Sequence, residues 1–73
     1  MRQRRGPAMI QEHLAMMRRH VADGKEQVAG QREVVDKIKA QGGDASEVEL
    51  LLKRFQEIQD EHVAHRDRLE AVL

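Results

Sequence analysis

Cysteine, tryptophan and tyrosine are absent from this sequence, which has one phenylalanine, one proline and one serine among its 73 residues. Without cysteine the chain has no disulfide, no thiolate zinc site and no thiol nucleophile, and it gives no information about redox compartment. A domain this small buries only a modest fraction of its surface, so it commonly needs partners for stability. The composition therefore favours a chain that associates with other helices.

Long apolar runs are missing as well. The longest extend over only a few residues, so the sequence predicts neither a transmembrane helix nor the apolar region of a signal peptide. We expect a cytoplasmic protein that does not enter a membrane. Charged residues make up 36% of the chain and hydrophobic residues 40%, a balance that is typical of long solvated helices with a narrow apolar stripe.

Two helical blocks surround a single pair of glycines. Pro7 suits the first turn of a helix, and no proline follows it. Gly42 and Gly43 can end that helix because glycine adopts positive φ, and Asp44 can cap the next helix. So short a joint makes the two helices antiparallel neighbours. The predicted organisation is a basic N-terminal arm over 1–7, a helix over 8–41, a turn over 42–44 and a helix over 45–73.

Apolar positions recur at alternating spacings of three and four, which is typical of a coiled-coil stripe. In the first helix the predicted stripe comprises Ile10, Leu14, Met17, Val21, Gly24, Val28, Gln31, Val35 and Ile38. In the second it comprises Val48, Leu51, Phe55, Ile58, His62, His65, Leu69 and Val72, with Leu52 and Leu73 beside it. Because both helices rise equally per residue, the fold at the glycines predicts Gly24 opposite His62. The expected fold is all-α, a two-helix antiparallel coiled-coil hairpin.

Apolar residues outside this stripe indicate a further contact surface. Alanines recur every seven residues beside the stripe, and two methionines extend that strip near the start of the first helix. Alanine is also the best helix former and is tolerated on any helix surface. We interpret the strip as a self-association face that forms a homodimeric four-helix bundle, since two helices alone are marginal at this size. Its candidate residues are Met9, Ala15, Met16, Ala22 and Ala29.

Charge is divided unevenly along a chain whose formal net charge is zero. Up to residue 41 there are nine basic and five acidic residues, and from residue 42 there are four basic and eight acidic ones. A basic row with a spacing of seven spans about 31 Å along the first helix, and phosphates could lie along it. Interleaved acids favour a solvated face instead. The candidate nucleic-acid contacts are Arg18, Lys25, Arg32 and Lys39.

Histidines are the only candidates for site chemistry. His62 and His65 lie three apart, and the expected register brings His20 into the same stretch, so a metal could be bound there. A polar interruption that fixes helix register is the favoured interpretation, and the spacing does not exclude metal. Ser46 has no histidine nearby in the expected fold, so no catalytic set is predicted. We expect a non-enzyme without a cofactor.

Several short segments between Gln31 and Leu73 resemble short uncharacterised bacterial proteins that form helical hairpins. The segments are Gln31-Arg32-Glu33, Gly43-Asp44, Leu51-Leu52 and His62-Val63-Ala64-His65-Arg66-Asp67-Arg68-Leu69. The resemblance covers a little over half of the chain and implies the hairpin, with no activity attached to it.

The sequence as a whole predicts a non-catalytic protein-protein interaction module that self-associates through helical surface. Its expected partners are a second copy of itself and a further helical protein. The alternative is a small RNA- or DNA-binding helical-bundle regulator. A salt-dependent shift of labelled nucleic acid would favour the alternative.

Overall fold

Two long helices packed against each other make up the described part of the chain. In the computed structural model, which describes residues 5–73 and their side chains from residue 8, α1 spans Arg5–Ala40 and α2 spans Ser46–Ala71. No strand occurs within that range, so the prediction of an all-α fold with two packed helices is confirmed. The helix expected from residue 8 begins earlier, at Arg5, which leaves Pro7 in its first turn. Residues 1–4 of the predicted arm lie outside the described residues.

The reversal of the chain depends on the two glycines. Gly42 has a φ of 76°, the left-handed conformation that glycine adopts without steric cost. Its N–H donates to the carbonyl of Lys39 at 3.0 Å, and the N–H of Gly43 donates to the carbonyl of Ile38 at 2.9 Å. This pair of bonds is the Schellman arrangement, which satisfies carbonyls at the end of α1 that have no helical partner. A Cβ on Gly43 would lie 3.0 Å from Ile38 Cγ2, so the second glycine also permits a close approach.

The cap residue of α2 is Ala45, which makes no side-chain capping bond, so the prediction that Asp44 caps this helix is corrected; Asp44 precedes the cap, and the helix begins one residue later than expected. The backbone N–H of Ser46 donates to the Asp44 carboxylate at 2.9 Å, and the Ser46 hydroxyl donates to the same oxygen. These two bonds, the hydroxyl first, lower the pKa of the Asp44 carboxyl below its ordinary value. Ala45, between Asp44 and Ser46, is buried. The turn is therefore held by packing against the hairpin as well as by these two hydrogen bonds.

The seam, meaning the stripe along which the two helices pack, follows the prediction on α1. All nine predicted α1 positions are buried or half-buried. The buried residues of the described chain are Leu14, Met17, Val35 and Ala45. Three of these four belong to α1 and the fourth to the turn, so α2 contributes none.

On α2 the seam is rotated from the predicted stripe, and this is a correction. Leu51, Ile58 and Val72 were expected on it and are exposed. The observed seam starts at Ala45 in the turn, three residues before the predicted start at Val48. Its buried and half-buried residues, again spaced by three and four, are Ala45, Val48, Leu52, Phe55, Gln59, His62, Arg66 and Leu69. This stripe carries Gln59 and Arg66 where the predicted one carried Ile58 and His65. The prediction was therefore right at Val48, Phe55, His62 and Leu69 and wrong at the positions between them.

Neither helix of the described chain has the combination of length and apolar character that a bilayer-spanning segment requires.

Candidate interaction surfaces

The two open sides of the hairpin differ in chemistry, and a groove on each side identifies them. One groove is lined by His20, Asp23, Gln27 and Ile58 together with seam residues. Residues seven positions from these lie on the same side of their helix. We call this side the apolar flank. It comprises His13, His20, Gln27 and Val34 of α1 and Leu51, Ile58, His65 and Val72 of α2.

The apolar flank leaves large hydrophobic side chains in solvent. Val34 and Leu51 are each 42% exposed, Ile58 is 46% exposed and Val72 is more exposed still. Met16 extends this surface, since it follows His13 by three residues and precedes His20 by four. The flank thus combines four exposed aliphatic side chains with histidine and glutamine, and exposed apolar surface grouped on one side of a small protein is typical of a surface that contacts another protein.

Four histidines form two pairs across the hairpin. The rings of His20 and His62 stack with their centroids 5.3 Å apart, and those of His13 and His65 are tilted with centroids 5.0 Å apart. His13 was not singled out from the sequence, although it lies seven residues before His20 and therefore on the same side. No group of three or more histidine, aspartate or glutamate side chains within residues 5–73 has the arrangement of a metal site.

Gly24 contacts Gln59, which corrects the expected pairing of Gly24 with His62. A Cβ on Gly24 would lie 2.9 Å from Gln59 Cδ and would overlap Gln59 Oε1. The glycine thus leaves space for the Gln59 side chain, whose Nε2 donates to the carbonyl of Val21 at 2.8 Å. Gln59 Oε1 and His62 Nδ1 are buried without a hydrogen-bond partner in the described chain. The middle of the seam is therefore polar.

The opposite side of the hairpin, which we call the basic flank, carries the predicted basic row. Lys25 and Arg32 line its groove with Gln56. The ends of the row are paired within the hairpin: Arg18 Nη2 lies 2.9 Å from Glu70 Oε2, and Lys39 Nζ lies 3.3 Å from Glu49 Oε1. These acids are spaced at multiples of seven from Gln56, so α2 places a partner row against the basic one.

The five residues predicted as an oligomer interface are all exposed, on the side of α1 away from the seam. Met9, Ala15 and Met16 line a shallow depression, and Glu12, His13 and Arg19 line it with them. Ala29 instead lines the groove of the basic flank beside Lys25 and Arg32. Ala22, seven residues before Ala29, lies on the same side of α1. The methionines thus lie toward the apolar flank, Ala22 and Ala29 lie toward the basic flank, and Ala15 adjoins both groups.

Neither the protein-family models nor the curated proteins nor the solved structures include a match to this chain.

Proposed function

We propose that this chain is a non-catalytic interaction module that pairs with a second copy of itself into a four-helix bundle. The observation that carries the proposal is the apolar flank, where Val34, Leu51 and Ile58 are each more than two-fifths exposed. A partner that covers these side chains gains about 25 cal/mol for each Å² of apolar surface that it removes from water. Covering the flank supplies the apolar burial that the hairpin lacks.

The burial within one hairpin supports the same proposal. Only four residues of the described chain are buried, and none of them lies in α2. Chains of this size with so small a core commonly gain stability by oligomerising. The Cα extents of 62 × 15 × 14 Å give one side of the hairpin an area of about 900 Å², comparable to the ~800 Å² that each partner contributes to a standard interface. One face is therefore large enough for a stable dimer.

Sedimentation equilibrium tests the proposal with a matched pair of leucine variants. The native chain should have a mass near twice 8.4 kDa at micromolar concentration. Leu51 lies on the apolar flank, whereas its neighbour Leu50 is 65% exposed and points away from that flank. Leu51→Glu should reduce the mass toward that of one chain, and Leu50→Glu should leave it unchanged. A native mass of one chain would contradict the proposal.

A third variant separates the apolar flank from the alanine strip that the sequence predicted as the interface. Ala22→Glu places a charge among the alanines on the side of the basic flank. The apolar-flank dimer should tolerate this change, because the substituted side chain faces solvent. Loss of the dimer in Ala22→Glu but not in Leu51→Glu would assign the interface to the alanine strip instead.

Nucleic-acid binding is the weaker alternative because the basic row is partly neutralised. Arg18 and Lys39 pair with glutamates of α2, so Lys25 and Arg32 are the members without an ion pair in the described chain. Two cations support few phosphate contacts and hence only weak, salt-sensitive binding. A mobility shift of labelled RNA or DNA that persists at physiological salt and is lost in Arg32→Ala would favour this alternative.

A further inference from the structure

A row of exposed charges borders the apolar flank on α2. Arg54 follows Leu51 by three residues and precedes Ile58 by four, so its stripe lies directly beside the flank. Every seventh residue in this stripe is charged, and the sign alternates. The alternating row comprises Glu47, Arg54, Glu61 and Arg68. All four are exposed, and none of them belongs to an ion pair formed within residues 5–73.

A second copy that covers the apolar flank can adopt two orientations. The two copies of a symmetric dimer are related by a two-fold axis that lies in their interface. If that axis crosses the helices at right angles, α2 packs antiparallel on α2 and the two turns lie at opposite ends. If it runs along the helices, α2 packs on α1 of the second copy and the turns lie at the same end.

The alternating row is complementary to itself in the first orientation. A two-fold axis that crosses α2 between Arg54 and Glu61 places Arg54 opposite Glu61 of the second copy. It also places Glu47 opposite Arg68 of the second copy. Symmetry doubles both pairs, so every charge of the row faces the opposite sign. The same axis passes beside Ile58. The Ile58 side chains of the two copies therefore meet at the axis and cover each other. Charge and apolar burial thus require the same register.

The second orientation gives a poorer match. Gly24 and Gln59 are in contact, so Asp23 lies at about the level of Glu61 on the long axis of the hairpin. With the turns at the same end, each residue keeps its position along the long axis in both copies, so Asp23 faces Glu61 of the second copy. Symmetry doubles this repulsion. The like charges oppose association in this orientation, whereas the first orientation has none along the row.

We propose that two copies pair through their apolar flanks with the turns at opposite ends, and that the alternating row selects this orientation. The inference rests on the proposed function, because it specifies how the partner copy is oriented. It names the occupant of the apolar flank as a second copy whose α2 lies antiparallel on α2. Charge patterns of this kind determine partner orientation in helical assemblies more than they determine affinity.

A distance between spin labels tests the orientation directly. The chain has no cysteine, so Gln41→Cys gives one labelled site per copy, and its side chain is exposed at the turn. With turns at opposite ends, two labels should lie about 45 Å apart along the axis, from the rise of 1.5 Å per residue. A distance of about 20 Å or less, in a protein whose mass is still that of a dimer, would overturn the orientation and leave the proposed function intact. A mass of one chain would overturn both.

Charge reversal tests the alternating row. Glu61→Arg should weaken dimerisation about tenfold, because two exposed attractive pairs become repulsive. The double variant Arg54→Glu/Glu61→Arg should recover the native dissociation constant, since the pairs are restored with their signs exchanged. Glu57→Arg is the matched control, with the same change of net charge on the side of α2 that carries Leu50 and points away from the apolar flank. Equal weakening by Glu57→Arg and Glu61→Arg, or no recovery in the double variant, would overturn the role of the row.

Discussion

The close approach of Gln59 to Gly24 gives a sharp test of the seam through two glycine substitutions in the same helix. Alanine is favoured over glycine in a helix interior by about 0.8–1.0 kcal/mol. At Gly30 nothing lies within 4 Å of the added Cβ, so Gly30→Ala should gain that full amount. At Gly24 the Cβ displaces Gln59 and breaks its hydrogen bond to the carbonyl of Val21. A hydrogen bond contributes about 0.5–1.5 kcal/mol net, so Gly24→Ala should change stability by close to zero.

A double-mutant cycle isolates the contact between these two residues. When Gln59 is first replaced by alanine, the Cβ at position 24 meets no side chain, and Gly24→Ala should then stabilise as Gly30→Ala does. The coupling between positions 24 and 59 should be about 1 kcal/mol, typical of residues in contact.

Urea or thermal unfolding at a fixed chain concentration measures these differences. A gain of 1 kcal/mol raises the melting temperature of a domain this size by about 4–8 °C. Equal gains from Gly24→Ala and Gly30→Ala in the native background would refute the placement of Gln59 on the seam. So would a coupling of zero, because residues without shared contacts add independently.

Two further predictions concern the turn and the aromatic residue. Because Ser46 lowers the pKa of Asp44, this carboxylate stabilises the fold above its unfolded value of about 3.9, and the contribution is lost as pH falls toward the lower folded pKa. Asp44→Ala should therefore melt at a lower temperature than the native chain at neutral pH, and melts in acid should show the difference shrinking; an unchanged difference would contradict this. Phe55 is half-buried, so Phe55→Ala should cost about 2–3 kcal/mol in urea unfolding, less than the ~3–5 kcal/mol of a fully buried phenylalanine. A cost well under about 1 kcal/mol would mean that its ring does not pack in the seam.

The hairpin itself could be predicted from the sequence because its determinants are local. The spacing of apolar residues defines the α1 stripe. The end of α1 is marked by Gly42, which adopts positive φ, and by Gly43, which approaches Ile38 closely. Asp44 accepts both of its hydrogen bonds at the start of α2 from Ser46, two positions along the chain. Each of these features depends on neighbours along the chain.

Half of the α2 seam could not be predicted because those positions depend on contacts between helices. Gln59 occupies a seam position because Gly24 leaves it space and Val21 offers a carbonyl, and hydropathy reveals neither condition. Once Gln59 is on the seam, Ile58 is turned outward, and the candidate interface moves from the alanine strip to the apolar flank. The spacing of the basic row was visible in the sequence. Its pairing with Glu49 and Glu70 required the register between the helices.

The melting temperature measured as a function of chain concentration tests self-association most directly. If folding is completed by pairing, each tenfold increase in concentration should add about 1.4 kcal/mol per dimer to the free energy of unfolding. The midpoint should therefore rise steadily as the native chain is concentrated, and it should rise less in Leu51→Glu than in Leu50→Glu. A midpoint that is independent of concentration, for a native chain whose mass is that of one copy, would contradict the account.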